Sequence, residues 1–137
     1  MDESLDVLQV QKKTILVVED NILISEMYIY KLKREGYEVH LASDGLEAIK
    51  FIFEWSILPD LIILDIMMPN MNGFEALEKI RSDNRFDETK IIIFSNLNER
   101  KDREKCFALW ADDFLLKATI TPKDLIQHVG DLLNQYD

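Results

Sequence analysis

The chain has 137 residues, and 26 acidic against 16 basic side chains give it a formal charge of −10. That length fits one domain burying roughly two-thirds of the surface its unfolded form exposes, and the acid excess opposes attraction to a phosphate backbone, so a nucleic-acid partner is not expected. A lone Cys106 excludes an internal disulfide, no amino-terminal segment has the layout of a secretion signal, and no apolar run approaches the ~20 residues that span a bilayer, so the reading is a cytoplasmic protein without membrane insertion.

Residues 1–13 mix acidic and apolar side chains before turning basic at Lys12 and Lys13, and read as a flexible tail ahead of a domain over 14–137. From Thr14 strand and helix alternate. TILVVED at 14–20 is a strand ending in the acidic pair Glu19 and Asp20. NILISEMYIYKLKREG follows as a helix, with Asn21 near its start and Gly36 at its carboxyl end. YEVHLAS at 37–43 is the second strand, and DGLEAIKFIFEW at 44–55 the second helix. Pro59 leads into LIILD at 61–65. Gly73 opens the next helix, FEALEKIRSD, where Phe74, Leu77 and Ile80 fall at helical spacing.

KIIIFS at 90–95 is the fourth strand, and 98–110 a helix apolar only in its last turns. DDFLLK at 112–117 is the fifth strand. The last helix starts near Thr121 with Pro122 in its first turn, where a missing amide hydrogen costs nothing, and Leu125, Ile126, Val129, Leu132 and Leu133 form its core-facing stripe. Short aliphatic runs bounded by polar residues are how strands buried on both faces look. With right-handed crossovers, the fold class is α/β, a (βα)5 doubly wound parallel sheet.

In such a sheet Glu19, Asp20, Asp65, Ser95 and Lys117 all leave at the carboxyl edge, where open α/β folds place their ligands. Three gathered carboxylates repel one another, which favours either a raised pKa on one of them or a bound cation, the cation being the less costly outcome at neutral pH. Magnesium suits the set, since it takes oxygen ligands and keeps several waters. Asp65 is the candidate nucleophile, able to form an acyl phosphate. Lys117 can hold developing negative charge, and the Ser95 hydroxyl can donate to a phosphoryl oxygen.

The VVED pair, the LDIMMPNMNGFE segment around Asp65, the Ser95 strand end and ADDFLLK together resemble the receiver domains of two-component response regulators, over residues 14–135. The resemblance implies a flavodoxin-like strand order 2-1-3-4-5 and a Mg2+ site made by Glu19, Asp20, Asp65 and the backbone carbonyl of Met67. It makes Asp65 the phosphoacceptor, with Ser95 and Lys117 contacting the phosphoryl group. A histidine kinase or histidine phosphotransfer protein would supply that group. The chain is then expected to be a stand-alone switch, of the single-domain chemotaxis-regulator type, whose phosphorylation changes affinity for a downstream protein target. Its chemistry is limited to its own phosphorylation and dephosphorylation.

Four positions depart from that pattern. Phe114 stands where tyrosine is common, and is expected to act with Ser95 as a switch, swinging between exposed and buried. Ala118 replaces the usual cis-proline after Lys117, which predicts a trans bond and a rearranged loop over 118–121, since a cis bond here would cost roughly 2.5–4 kcal/mol. Asn96 replaces a very small residue and narrows the approach to the site. Trp110 replaces a common glycine and is expected to pack on the fourth helix. His40 and His128 lack ligand-like spacing. These departures motivate an alternative, a pseudo-receiver acting as a constitutive protein-interaction module. An aspartate-nucleophile phosphatase is disfavoured, because the second carboxylate it needs falls at Met67.

Overall fold

In the computed structural model residues 12–54, 58–68, 71–97 and 99–134 are described. The expected tail up to residue 11, Trp55 at the end of the second helix, Pro69 of the Asp65 segment and Asn98 lie outside them.

Strands β1 (Thr14–Val18), β2 (Glu38–Ala42), β3 (Leu61–Leu64), β4 (Lys90–Ser95) and β5 (Asp113–Leu116) form one sheet in the order β2-β1-β3-β4-β5, all pairs parallel. They alternate with helices α1 (Ile22–Arg34), α2 (Gly45–Glu54), α3 (Gly73–Arg81), α4 (Arg100–Ala108) and α5 (Pro122–Leu133). This is the doubly wound α/β arrangement expected, in the flavodoxin-like order.

Successive strand residues point to opposite faces, and both faces are covered. Leu16, Val18, Ile62, Leu64, Ile91 and Ile93 join one core with Ala48 and Ile52 of α2, Leu77 and Ile80 of α3 and Cys106 of α4. Ile15, Val17, Ile63, Ile92 and Phe94 face the other way, against Tyr28 and Leu32 of α1 and Leu125 and Val129 of α5. The sheet is thus fixed from both sides, which makes its carboxyl edge a rigid platform.

Caps set where the helices begin. Asn21 accepts from the Ile24 amide, Asn72 from the Glu75 amide, and Thr121 and Asp124 form a capping box at α5 with Pro122 in the first turn. The fourth helix is shorter than its predicted span because its end is a Schellman motif: Ala111 N–H donates to Cys106 O at 3.0 Å and Trp110 N–H to Phe107 O at 3.0 Å. That motif puts Trp110 in the left-handed region, at φ 70°, and turns its side chain outward, 76% exposed. The expected packing of Trp110 on the fourth helix is therefore wrong; the position favours glycine for its backbone, and the indole is left over. A 3-10 turn at Asn84–Phe86, unannounced by any sequence signal we read, buries Phe86 edge-on to Phe53 at 5.3 Å.

Candidate functional site

The sheet order reverses between β1 and β3, and a crevice forms where neighbouring strands send their connections to opposite faces. The acidic pair leaves β1 and Asp65 leaves β3, so both stand at that point. Backbone bonds hold them there. Glu19 N–H donates to Ala42 O of β2 at 3.0 Å, Asp65 N–H to Val18 O of β1 at 3.1 Å, and Lys117 N–H to Ser95 O of β4 at 2.9 Å. Each key residue thus extends the sheet by one bond before its chain turns away.

The side chains converge. One carboxylate oxygen each of Glu19, Asp20 and Asp65 lies within 4.8 Å of the others, with Glu19 and Asp65 buried and Asp20 exposed. Lys117 Nζ donates to Asp65 Oδ2 at 2.9 Å and also to Glu19 Oε1. Asp65 Oδ1 accepts from the Met67 amide at 3.1 Å, and Glu19 Oε2 from the Asn21 amide at 3.0 Å. Two of the three carboxylates are oriented at both oxygens, whereas Asp20 faces solvent.

Burial is the main influence on Glu19 and raises its carboxyl above its ordinary value, outweighing the opposing pull of Lys117 and the Asn21 amide. Burial alone would lower the Lys117 ammonium, but its bonds to Glu19 and Asp65 reverse the direction and hold it raised. The set of donors fits a hard divalent cation: three carboxylate groups, all oxygen, with a single ammonium against them.

Ser95 ends β4 fully buried, its Oγ accepting from the Leu97 amide at 3.3 Å. The hydroxyl's own hydrogen is free of that bond and can be donated elsewhere. Met67 lies just past Asp65 with its side chain 60% exposed at the mouth, and Asn96 is exposed beside Ser95. Phe114 is turned inward, 7% exposed, with the Arg103 guanidinium 5.3 Å from its ring centre. No cis peptide bond occurs among the described residues, as expected after Lys117; the chain turns there through Thr119 and Ile120 amides that both donate to Leu116 O. His40 pairs with Glu38 and His128 with Asp113, both away from the acidic cluster.

Three site features escaped the sequence reading. The Lys117 bridge to Glu19 is a product of the tertiary fold, whereas the Met67 amide on Asp65 is a local turn in which an aspartate accepts from the amide two residues on. The Asn72 cap was legible, since asparagine three residues before Glu75 is a helix-start signal.

The family model of the response regulator receiver domain matches residues 15–130. The chain belongs to the response regulator receiver family. Solved receivers share its fold: the chemotaxis protein CheY4 of Vibrio cholerae is similar at 29% identity and a TM-score of 0.82, covering 90% of this chain and 100% of that one. A CheY-like receiver domain protein of Methanospirillum hungatei is similar at 27% identity and 0.83, covering 91% and 96%.

Among sequence relatives of this receiver, the "Probable transcriptional regulator ycf27" of Cyanophora paradoxa is 35% identical over 128 residues, 93% of this chain and 51% of that protein. The "DNA-binding dual master transcriptional regulator RpaA" of a Synechocystis species is 30% identical over 123 residues, 90% of this chain and 50% of that protein. The chain spans about half the length of both relatives.

These relatives correct the expected partners, a histidine kinase or phosphotransfer protein and a downstream protein target with nucleic acid excluded. A relative named as DNA-binding overturns that exclusion. The charge argument failed because the net charge of a receiver says nothing about the half of those relatives that lies outside the match. Among the described residues, no helix is long and apolar enough to cross a membrane.

Proposed function

We propose that this receiver is a phosphorylation switch in which Asp65 takes a phosphoryl group from a phosphohistidine. The supporting observation is the meeting of Glu19, Asp20 and Asp65 oxygens within 4.8 Å, with Lys117 Nζ on Asp65 at 2.9 Å. In the transfer the donor's N–P bond breaks as an Asp65 O–P bond forms, and the electron pair returns to the imidazole. Positioning and charge stabilisation do most of the work in such reactions.

A Mg2+ ion held by Glu19, Asp20, Asp65 and the Met67 carbonyl would screen the repulsion between the carboxylate and the incoming phosphoryl oxygens. The Met67 amide orients Asp65 through Oδ1. Lys117 exchanges its carboxylate partners for a phosphoryl oxygen, and the Ser95 hydroxyl donates to another. Movement of Ser95 and Lys117 toward the phosphoryl group pulls on β4 and β5, and Phe114 and the segment 95–120 report the change as a shift between two states. Apart from hydrolysis of its own acyl phosphate, the receiver turns over no substrate.

The regulated output is transcriptional, a reading supported by the similarity to RpaA and ycf27. A reducing, cytoplasmic setting accords with the free, buried Cys106.

Titration with Mg2+, followed by beryllofluoride, tests the reading on amide NMR spectra of the parent and of Asp65→Asn. The parent should show saturable shifts around Glu19, Asp20 and Asp65 with Mg2+, then shifts over 95–120 with beryllofluoride; Asp65→Asn should lose the second set. Parent spectra that ignore both additions would refute it.

A further inference from the structure

Asp65 opens the connection from β3 to α3, of which residues 65–68 and 71–72 are described, so what holds those residues decides where Asp65 points. Their first end is tied by the Asp65 amide to Val18 O, and their last by the Gly73 amide to Ile66 O at 2.9 Å. Their far side rests on a different helix. A Cβ placed on Gly45, the first residue of α2, would lie 2.3 Å from Met71 O and 3.0 Å from Met71 C. Both are backbone atoms, which cannot yield as the end of a flexible side chain can.

Gly45 itself stands on a fixed base. Asp44 Oδ1 accepts from the Glu47 amide at 2.8 Å, and Glu47 reaches back to the Ser43 amide at 3.0 Å and the Ser43 hydroxyl at 3.1 Å. One residue earlier, Ala42 O accepts from the Glu19 amide. The passage from β2 into α2 therefore touches both halves of the acidic site, Glu19 through Ala42 at the end of β2 and the Met71 backbone through Gly45 at the start of α2, while adding no side chain to either.

We propose that Gly45 is a positioning residue for Asp65: its bare Cα lets the Met71 backbone seat against α2 at the one depth that, through the Gly73 amide on Ile66 O, keeps Asp65 and the Met67 backbone in register with Glu19. The proposal rests on the phosphoacceptor reading of Asp65. A methyl group at 45 pushes the Met71 carbonyl outward and displaces the loop, although 20 residues and a whole strand separate Gly45 from Asp65 in sequence.

The test compares the parent chain, Gly45→Ala and Gly130→Ala. The last makes the same chemical change on α5, where the nearest atom to an added Cβ is Asn134 Nδ2 at 3.9 Å. Gly45→Ala should shift the amide resonances of 65–68 and 71–73 and slow phosphorylation by phosphoramidate at saturating Mg2+ by about tenfold or more, the scale on which small misplacements act. Gly130→Ala should leave both readouts at parent values. Parent-like resonances and rate in Gly45→Ala, or equal losses in Gly130→Ala, would overturn the proposal.

If Gly45→Ala does not fold, the parent decides. On addition of Mg2+ and then beryllofluoride, the Gly45 amide must shift with the same midpoint as those of 66–68, and a Gly45 amide that stays still contradicts the contact. A parent that takes no phosphoryl group refutes the function of Asp65, whereas the 65–73 resonances of Gly45→Ala still settle whether Gly45 seats the loop.

Discussion

Lys117 Nζ lies 2.9 Å from Asp65 Oδ2 while both side chains are nearly out of solvent, 11% and 7% exposed, and the same ammonium is shared with Glu19. One cation thus answers two buried carboxylates, and Asp20 remains as the exposed third. Lys117→Ala leaves those two charges facing each other. In EDTA it should cost about 3 kcal/mol of unfolding free energy, the scale for breaking a buried pair from one side. Urea denaturation measures this, and part of the loss should return with Mg2+. An unchanged midpoint in EDTA would show that the pair contributes nothing.

Asp20→Asn should act in the opposite direction. Its carboxylate lies in the cluster without a bond to Lys117, so removing its charge relieves repulsion, by roughly 1 kcal/mol for a pair near water. Without metal the variant should be more stable than the parent, and Mg2+ should stabilise it less, because the ion loses a ligand. Thermal melts with EDTA and with excess Mg2+ give both signs. A variant less stable in EDTA contradicts the repulsion.

The pH dependence follows from two raised groups. When the folded-state pKa exceeds the unfolded one, the group's contribution is complete below its ordinary value and is lost as pH rises through the folded value. For Lys117 the loss falls above its ordinary 10.5, and for Glu19 it starts above 4.5. In EDTA the parent should therefore lose stability relative to Lys117→Met in the alkaline window. As pH rises above 4.5 it should lose stability relative to Glu19→Gln. Urea midpoints against pH check both; flat differences would contradict the assigned directions.

Trp110 holds φ 70° with its indole 76% exposed, so the side chain brings backbone strain without packing in return. Trp110→Gly should raise stability by roughly 0.5–1 kcal/mol, the left-handed penalty less the added freedom of glycine in the unfolded chain. The Trp110 carbonyl, which accepts from Arg81 Nε at 2.9 Å, is retained in that variant. Chemical denaturation decides, and a destabilised variant would mean that the indole packs after all.

How far the sequence carried this account depended on whether a feature was local. Runs such as LIIL at 61–64 and III at 91–93 are long enough and apolar enough to declare strands buried on both faces, and their polar exits then named Asp65 and Ser95. The α5 cap was legible because Thr121, Pro122 and Asp124 lie within four residues. Trp110 misled because an indole signals burial, while its φ is set by hydrogen bonds back to α4. The Lys117 to Glu19 contact spans 98 residues, and the seat of Met71 on Gly45 joins two backbones, so neither leaves a pattern along the chain. The partner reading failed for another reason: charge was counted over a stretch matching only half of its relatives.

Intact-mass spectrometry after incubation with phosphoramidate and Mg2+ tests the central claim most directly. The parent should gain the mass of one phosphoryl group, the gain should vanish with EDTA, and Asp65→Asn should gain none. A parent that stays unmodified, or an Asp65→Asn variant phosphorylated as readily as the parent, would contradict it.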